Sequence, residues 1–225
     1  MTLIQMAKVK NLLLPIIFIL YTPMLKAQFD ADRDNVFVGG LCAGLNYTQV
    51  DGDNFAGYHK SGWNAGAVVY IKLADHIAAS MELLYTQKGS RAGSGQVPKY
   101  ANDQSTLITD YRIKLNYLEV PILINFFDRR KSNFGAGFSY GHLASSREIY
   151  KDGQGHVYEN DAKLFPFRKS DVNFVLNGNA HLWKGLFFNL RFQYSLFSIR
   201  SAYNYITGRE QQFNNLWTTR LLYIF

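Results

Sequence analysis

The chain has 225 residues, of which 48% are apolar, 16% aromatic and 18% charged, with a single cysteine and a formal net charge of +7. That composition excludes a largely disordered protein. No apolar run of 18 or more residues follows the N-terminal segment, which excludes a bundle of membrane helices. A lone thiol supports neither a disulfide framework nor, without several His or carboxylates, a zinc site.

Residues 1–27 have the three parts of a secretory signal peptide. Lys8 and Lys10 precede an apolar stretch over 11–25, and Ala27 offers a small residue at the cleavage point. Pro15 and Pro23 break the stretch, which fits a cleaved signal better than a membrane anchor. Its removal takes away Lys8, Lys10 and Lys26 and no acid, so the net charge falls from +7 to +4. This mild excess is spread along the chain, and no nucleic-acid partner is expected. The expected division is a signal peptide over 1–27 and one barrel domain over 28–225.

The remainder alternates with a period of two, the signature of half-buried strands. Residues 37–47 and 63–73 follow it loosely. Next, Ile77, Ala79, Met81, Leu83 and Tyr85 oppose Ser80, Glu82, Thr86 and Lys88. The following segment breaks phase: Leu118, Val120, Ile122, Ile124 and Phe126 share one parity, while Ile113, Leu115 and Tyr117 have the other. A β-bulge near Asn116 and Tyr117 would bring all of them onto one face, and Pro121 removes a ladder donor. Phe134, Ala136, Phe138 and Tyr140 then alternate with Gly135, Gly137, Ser139 and Gly141. Over 172–182, Val172, Phe174 and Leu176 oppose Asn173, Val175 and Asn177. Over 186–198, Phe188, Leu190, Phe192 and Tyr194 oppose Phe187, Asn189, Arg191 and Gln193. Finally Trp217, Thr219, Leu221, Tyr223 and Phe225 oppose Thr218 and Arg220.

Short connections at 74–75, 128–132 and 183–185 alternate with long polar ones at 50–60, 89–105, 146–169 and 200–211. About eight strands result, each near or above the roughly 9–11 residues that a tilted strand needs to cross a bilayer. Short turns at one end and long loops at the other describe an all-β, transmembrane antiparallel up-and-down barrel.

Alternation alone also fits a soluble barrel with an apolar interior. Three features favour lipid outside. Small residues (Gly66, Gly135, Gly137, Ser139) fall on the polar face, where a barrel of this size has little room. Aromatics gather in two belts, with Phe126, Phe134, Trp183, Phe187, Phe188, Tyr223 and Phe225 near the short turns and Tyr47, Trp63, Tyr85, Tyr140, Tyr194 and Trp217 near the long loops. The sequence ends on an alternating strand whose terminal Phe225 resembles the signal read by the outer-membrane assembly machinery. The expected location is a Gram-negative outer membrane, with long loops extracellular and both termini periplasmic.

Charges on the polar face would then point into a narrow lumen. Lys72, Glu82, Glu119, Arg191 and Arg220 are the candidates, and acid–base pairing across the barrel is expected because a lone buried charge is costly. A structural ion cluster is favoured over a gated ion path, since eight strands leave no open channel.

Three blocks carry a family resemblance. They are Gly44-Leu45-Asn46 with Tyr58-His59-Lys60-Ser61-Gly62-Trp63-Asn64-Ala65-Gly66, then Glu82-Leu83-Leu84-Tyr85-Thr86-Gln87-Lys88-Gly89, then Leu115-Asn116-Tyr117-Leu118-Glu119-Val120-Pro121-Ile122-Leu123-Ile124. Together they resemble the PorT-like family of Bacteroidetes outer-membrane β-barrel proteins. The resemblance implies an outer-membrane barrel and, by way of the family's namesake, an accessory role in protein secretion with secretion-system proteins as partners.

No cofactor and no catalytic set is expected. Ser139 and His142 differ in parity, Ser145 shares the lumen parity of Ser139, and His59 and His156 fall in long loops. No G-x-S-x-G, H-E-x-x-H or phosphate-binding glycine loop occurs. A lipid-modifying enzyme is the alternative from another class. Asp51-Gly52-Asp53-Asn54 has oxygens for a hard cation, yet the same residues favour a plain turn, and no metal is expected. Binding rests on aromatic and basic loop residues: Lys99-Tyr100, Arg147 to Tyr150, and Phe165-Pro166-Phe167-Arg168-Lys169. Outer-membrane lipid, lipopolysaccharide phosphates and partner proteins are the expected contacts.

Overall fold

A computed structural model describes residues 36–53, 55, 57–92, 108–152, 154–159, 166–200 and 211–225. The signal segment at 1–27 and the loop residues Lys99, Tyr100 and Phe165 lie outside the described residues.

The described residues form nine strands: β1 (Phe37–Asp51), β2 (Lys60–Ala74), β3 (Ile77–Arg91), β4 (Ile108–Phe127), β5 (Asn133–Asp152), β6 (Val157–Glu159), β7 (Ser170–Trp183), β8 (Leu186–Ser195) and β9 (Phe213–Ile224). Every pairing is antiparallel, and the sheet runs β4-β3-β2-β1-β9-β8-β7-β5-β6, with β4 also paired to β5. That last pairing closes an eight-strand up-and-down barrel. The short β6 folds back on the upper end of β5 and adds nothing to the ring. No edge is left open within the closed wall, which is what a strand-built membrane span requires.

The short turns follow from local chemistry. Asp75 and His76 alone join β2 to β3. The β4–β5 turn is held by the Asp128 carboxylate accepting the Arg129 N–H at 2.7 Å and by Lys131 in the left-handed region (φ 65°). The β7–β8 turn places Lys184 at φ 49°, ahead of Gly185. A Cβ on Gly185 would lie 2.1 Å from the Ile224 carbonyl oxygen, so that chain crossing needs glycine.

The outward face of β4 is apolar from Leu118 to Phe126. Eight residue steps at about 3.3 Å, tilted about 40°, give about 20 Å of height. The aromatic belts lie at its ends. Trp63 is 65% exposed beside the long loops and Trp183 66% exposed beside the short turns. One expected belt member, Phe187, is instead 2% exposed and faces the lumen. Its parity matches Asn189 and Arg191, so it plugs the short-turn end of the barrel.

The phase break in β4 has a different solution from the one expected. Tyr111, Ile113, Leu115, Tyr117 and Glu119 are all buried at 0% exposure, on one unbroken inward parity. The register does shift at Asn116/Tyr117, but the extra residue is Ala144 of β5: Asn116 pairs with Ser145 and Tyr117 with Leu143. The bulge flips β5 instead of β4. Below it Ser139 and Gly141 face inward; above it Glu148 and Asp152 do. Ser145, expected in the lumen, therefore points out and accepts a hydrogen bond from the Asn116 amide at 2.8 Å.

Candidate functional site

The lumen is filled from end to end. At the short-turn end Val38, Cys42, Val68, Tyr70, Ala78, Leu84, Phe187, Leu222 and Ile224 form an apolar plug. Arg220 approaches Gly44 so closely that a Cβ there would lie 2.4 Å from the Arg220 Cβ. That space lets the guanidinium turn inward.

Three ion groups stack above the plug. In the first, Glu82 is shared: Arg191 reaches one of its carboxylate oxygens and Arg220 the other at 2.9 Å. Arg220 also donates to Asn189 (2.6 Å) and Asn64 (3.2 Å), and Arg191 donates to Asn177 (3.0 Å). In the second the ratio reverses. Lys88 lies 3.2 Å from Glu119 and 3.1 Å from Asp171, with all three side chains at 0–2% exposure. Ser139 and Gln193 donate to Glu119, while Ser195 (2.7 Å) and Asn214 (2.9 Å) donate to Asp171. In the third, Arg200 meets Glu148 at 2.7 Å, and the Tyr111 hydroxyl donates to the same acid. Each set joins charges taken out of water, where the loss of one partner leaves the other uncompensated. One excess cation in the first set answers one excess acid in the second.

A second apolar plug seals the long-loop end. Val50, Tyr111, Ile113, Leu115 and Tyr117 from the strands meet Phe55, Phe167 and Ile199 from the loops. Phe55 stacks on Tyr111 with centroids 4.8 Å apart, and the Arg200 guanidinium lies 4.0 Å over the Phe167 ring. Phe167 and Arg200 form a β-bridge, which ties the β5–β7 connection to the β8–β9 connection.

Of the five charges named from sequence, Glu82, Glu119, Arg191 and Arg220 lie in this interior. Lys72 does not. The register of β2 against β3 shifts between Lys72 and Ala74, and Lys72 pairs instead with Asp75 of the turn at 3.4 Å, 41% exposed. Lys88 occupies the role, on the same parity as Glu82. Glu148 falls inside the loop expected from 146, Asp171 lies one residue ahead of the strand expected from Val172, and Arg200 enters the interior from the β8–β9 connection. β5 runs on to Asp152, and the Ala144 bulge turns Glu148 inward. Phe225 is 39% exposed at the end of the last strand, and its N–H donates to Gly39 O at 3.0 Å.

The loop candidates are dispersed. The Asp53 carboxylate is buried and accepts the Phe55 N–H at 2.8 Å. Burial pushes its pKa up to about 7, against the opposing pull of a Ser90 hydrogen bond. Asp51 is on the outer wall, where it accepts from Gln49 (2.9 Å) and Asn215 (3.2 Å). The two carboxylates thus serve separate hydrogen-bond sets, and Asn54 lies outside the described residues. His142 is exposed on the outer wall, away from Ser139. His156 lies 3.1 Å from Asp152, but that carboxylate also accepts the Gln154 and His156 backbone N–H groups and the Tyr158 hydroxyl, so it organises its own turn. His181 uses Nε2 on the Lys184 carbonyl at 2.6 Å.

Arg168 and Lys169 are exposed, whereas Phe167 is turned into the plug. Arg147 faces outward and pairs with Glu159 at 3.0 Å. Lys60, at the head of β2, donates to the Lys88 carbonyl at 2.7 Å. Its pKa is pushed down to about 8 by burial and then by the neighbouring Lys114.

Residues 27–201 match the family model described as outer membrane protein beta-barrel domain. No curated protein sequence matches the chain. Among solved structures, the chain is similar to Ail, the attachment invasion locus protein of Yersinia pestis, at 10% identity and a TM-score of 0.47, covering 84% of this chain and 99% of that one. It is also similar to Neisserial surface protein A, at 10% identity and a TM-score of 0.41 over 83% and 95% of the two chains. A third similarity is to the outer membrane protein AlkL, at 14% identity and a TM-score of 0.38 over 89% and 97%. The family match covers more than half of the sequence: the chain belongs to the outer membrane protein beta-barrel domain family and is an outer-membrane barrel.

Proposed function

We propose that this barrel is a non-enzymatic surface protein. In this reading the lumen is a rigid pillar, and the long-loop end, turned to the cell exterior, meets partners. Both ends of the barrel segment then lie on the periplasmic side, as short turns do in barrels of this kind. The observation that carries the reading is the filled interior, in which two apolar plugs bracket three ion groups. Such an interior leaves the loops as the adaptable surface.

The blocks that resemble the PorT-like family contribute Glu82, Lys88 and Glu119 to the ion groups. They account for a shared interior more directly than for a shared secretion partner. The purified folded protein, inserted into planar bilayers, is expected to add no discrete conductance steps. Regular openings in most insertions would assign it to transport and overturn the pillar.

A further inference from the structure

The outward face of β3, β4 and β5 changes character in steps above the upper aromatic belt. Tyr85 and Leu118 pair at the belt. Two residues higher, Gln87, Asn116 and Ser145 form a polar row. Two residues higher again, Lys114 stands directly opposite Arg147; a further two residues up, Arg112 stands opposite Arg91. Like charges opposite each other on one face of a sheet destabilise it unless something neutralises them.

Protein groups do so only in part. Arg112 has Asp110 at 3.4 Å and Arg147 has Glu159 at 3.0 Å, both at half-exposed positions where such pairs are weak. Lys114 and Arg91 have no acidic partner among the described residues. The outer wall opposite is different in kind: above Tyr47 and Trp217 it carries Gln49, Asp51 and Asn215 and no cation among the described residues. A general preference for basic residues near the leaflet does not produce this one-sidedness.

Four residue steps separate the Tyr85 and Lys114 rows. That is about 13 Å along the strand, or about 10 Å of height at the usual tilt. Aromatic belts lie at headgroup level, and long basic side chains reach along the wall. The cations therefore stand where the phosphates of an outer-leaflet lipid begin. The geometry points to a lipid-phosphate site on this wall, with Lys114 and Arg147 clamping a phosphorylated glycolipid headgroup between them and Arg91 and Arg112 flanking it from above. The inference rests on the proposed orientation, with the long loops at the outer leaflet.

Binding can be read in detergent micelles, where no leaflet exists, so the result does not depend on which end faces outward. The folded full-length protein is titrated with diphosphorylated lipid A and with its dephosphorylated form, and complexes are counted by native mass spectrometry. The phosphorylated form is expected to bind at least about tenfold more tightly, less so as salt rises. The exposed double variant Lys114→Gln/Arg147→Gln should lose about tenfold, while Lys184→Gln at the other end should lose nothing. Equal binding of the two lipids, or an unaffected double variant, would overturn the site and leave the filled-lumen reading standing. Displacement of lipid A by millimolar inorganic phosphate would assign the site to free phosphate and overturn the lipid reading.

Discussion

Glu82→Gln is expected to lower the stability of the folded barrel by about 3–5 kcal/mol. Glutamine keeps the shape of the side chain and one acceptor, so packing and one hydrogen bond persist. The charge does not. Arg191 and Arg220 both rely on this carboxylate, and no other acid lies within 4 Å of either among the described residues. Two guanidinium groups would remain buried with no anion beside them, facing only neutral groups: the new amide, Asn189, Asn64, Asn177 and the Cys42 sulfur. The readout is the temperature at which the folded band converts to the unfolded band in SDS. Glu119→Gln should lower that temperature less, because Asp171 stays on Lys88. An unchanged conversion temperature for Glu82→Gln would mean that water reaches the cluster and the lumen is not sealed.

The second large effect is expected at Lys88. Lys88→Met leaves Glu119 and Asp171 buried with no cation, again a loss of about 3–5 kcal/mol. The compensated variant Lys88→Met/Glu119→Gln/Asp171→Asn removes all three charges. It should recover most of the loss, since replacing a whole buried ion group is often nearly neutral whereas breaking it is not. The difference between the single and the triple variant isolates the charge from the packing of the long side chain. A triple variant as unstable as the single one would assign the loss to packing, including the Lys88 contact with the Tyr117 ring at 5.2 Å.

Much of the architecture was legible in the sequence because a strand exposes its partition directly. Side-chain identity at alternate positions says which residues share a face, and the alternation of short and long connections says which strand ends share a side. Parity does not by itself give environment. Ile113, Leu115 and Tyr117 are apolar and so share the expected lipid face, yet the upper lumen is itself apolar and takes all three. The expected bulge matches the observed register step but lies on the neighbouring strand, since in β5 the run Ala144-Ser145-Ser146-Arg147 has no large apolar residue to mark a change of face. Phe187 has both the polar parity of a lumen residue and the position of a belt residue; the parity decides it.

The ion groups were half visible. Glu82, Glu119, Arg191 and Arg220 are isolated charges inside clean alternation, which singles them out. Lys88 carries the same signal as these four; Lys72, near the end of β2, reaches Asp75 of the turn instead of the lumen. Asp171, Glu148 and Arg200 sit where strands run into polar loops. Nothing local to the sequence separates a lumen charge from a solvated one there. The cation pairs on the outer wall were not legible at all, because Lys114 and Arg147 are brought opposite each other only by the bulged register of β4 against β5.

Electrophoretic mobility in SDS reads out whether the protein is a closed barrel standing in the outer membrane. The outer-membrane fraction is loaded with and without boiling. The unboiled protein is expected to run as a compact band that shifts on heating, because a wall without edges and an interior filled by side chains resist the detergent. A single position in both lanes, with the protein recovered from the soluble periplasm, would contradict the account.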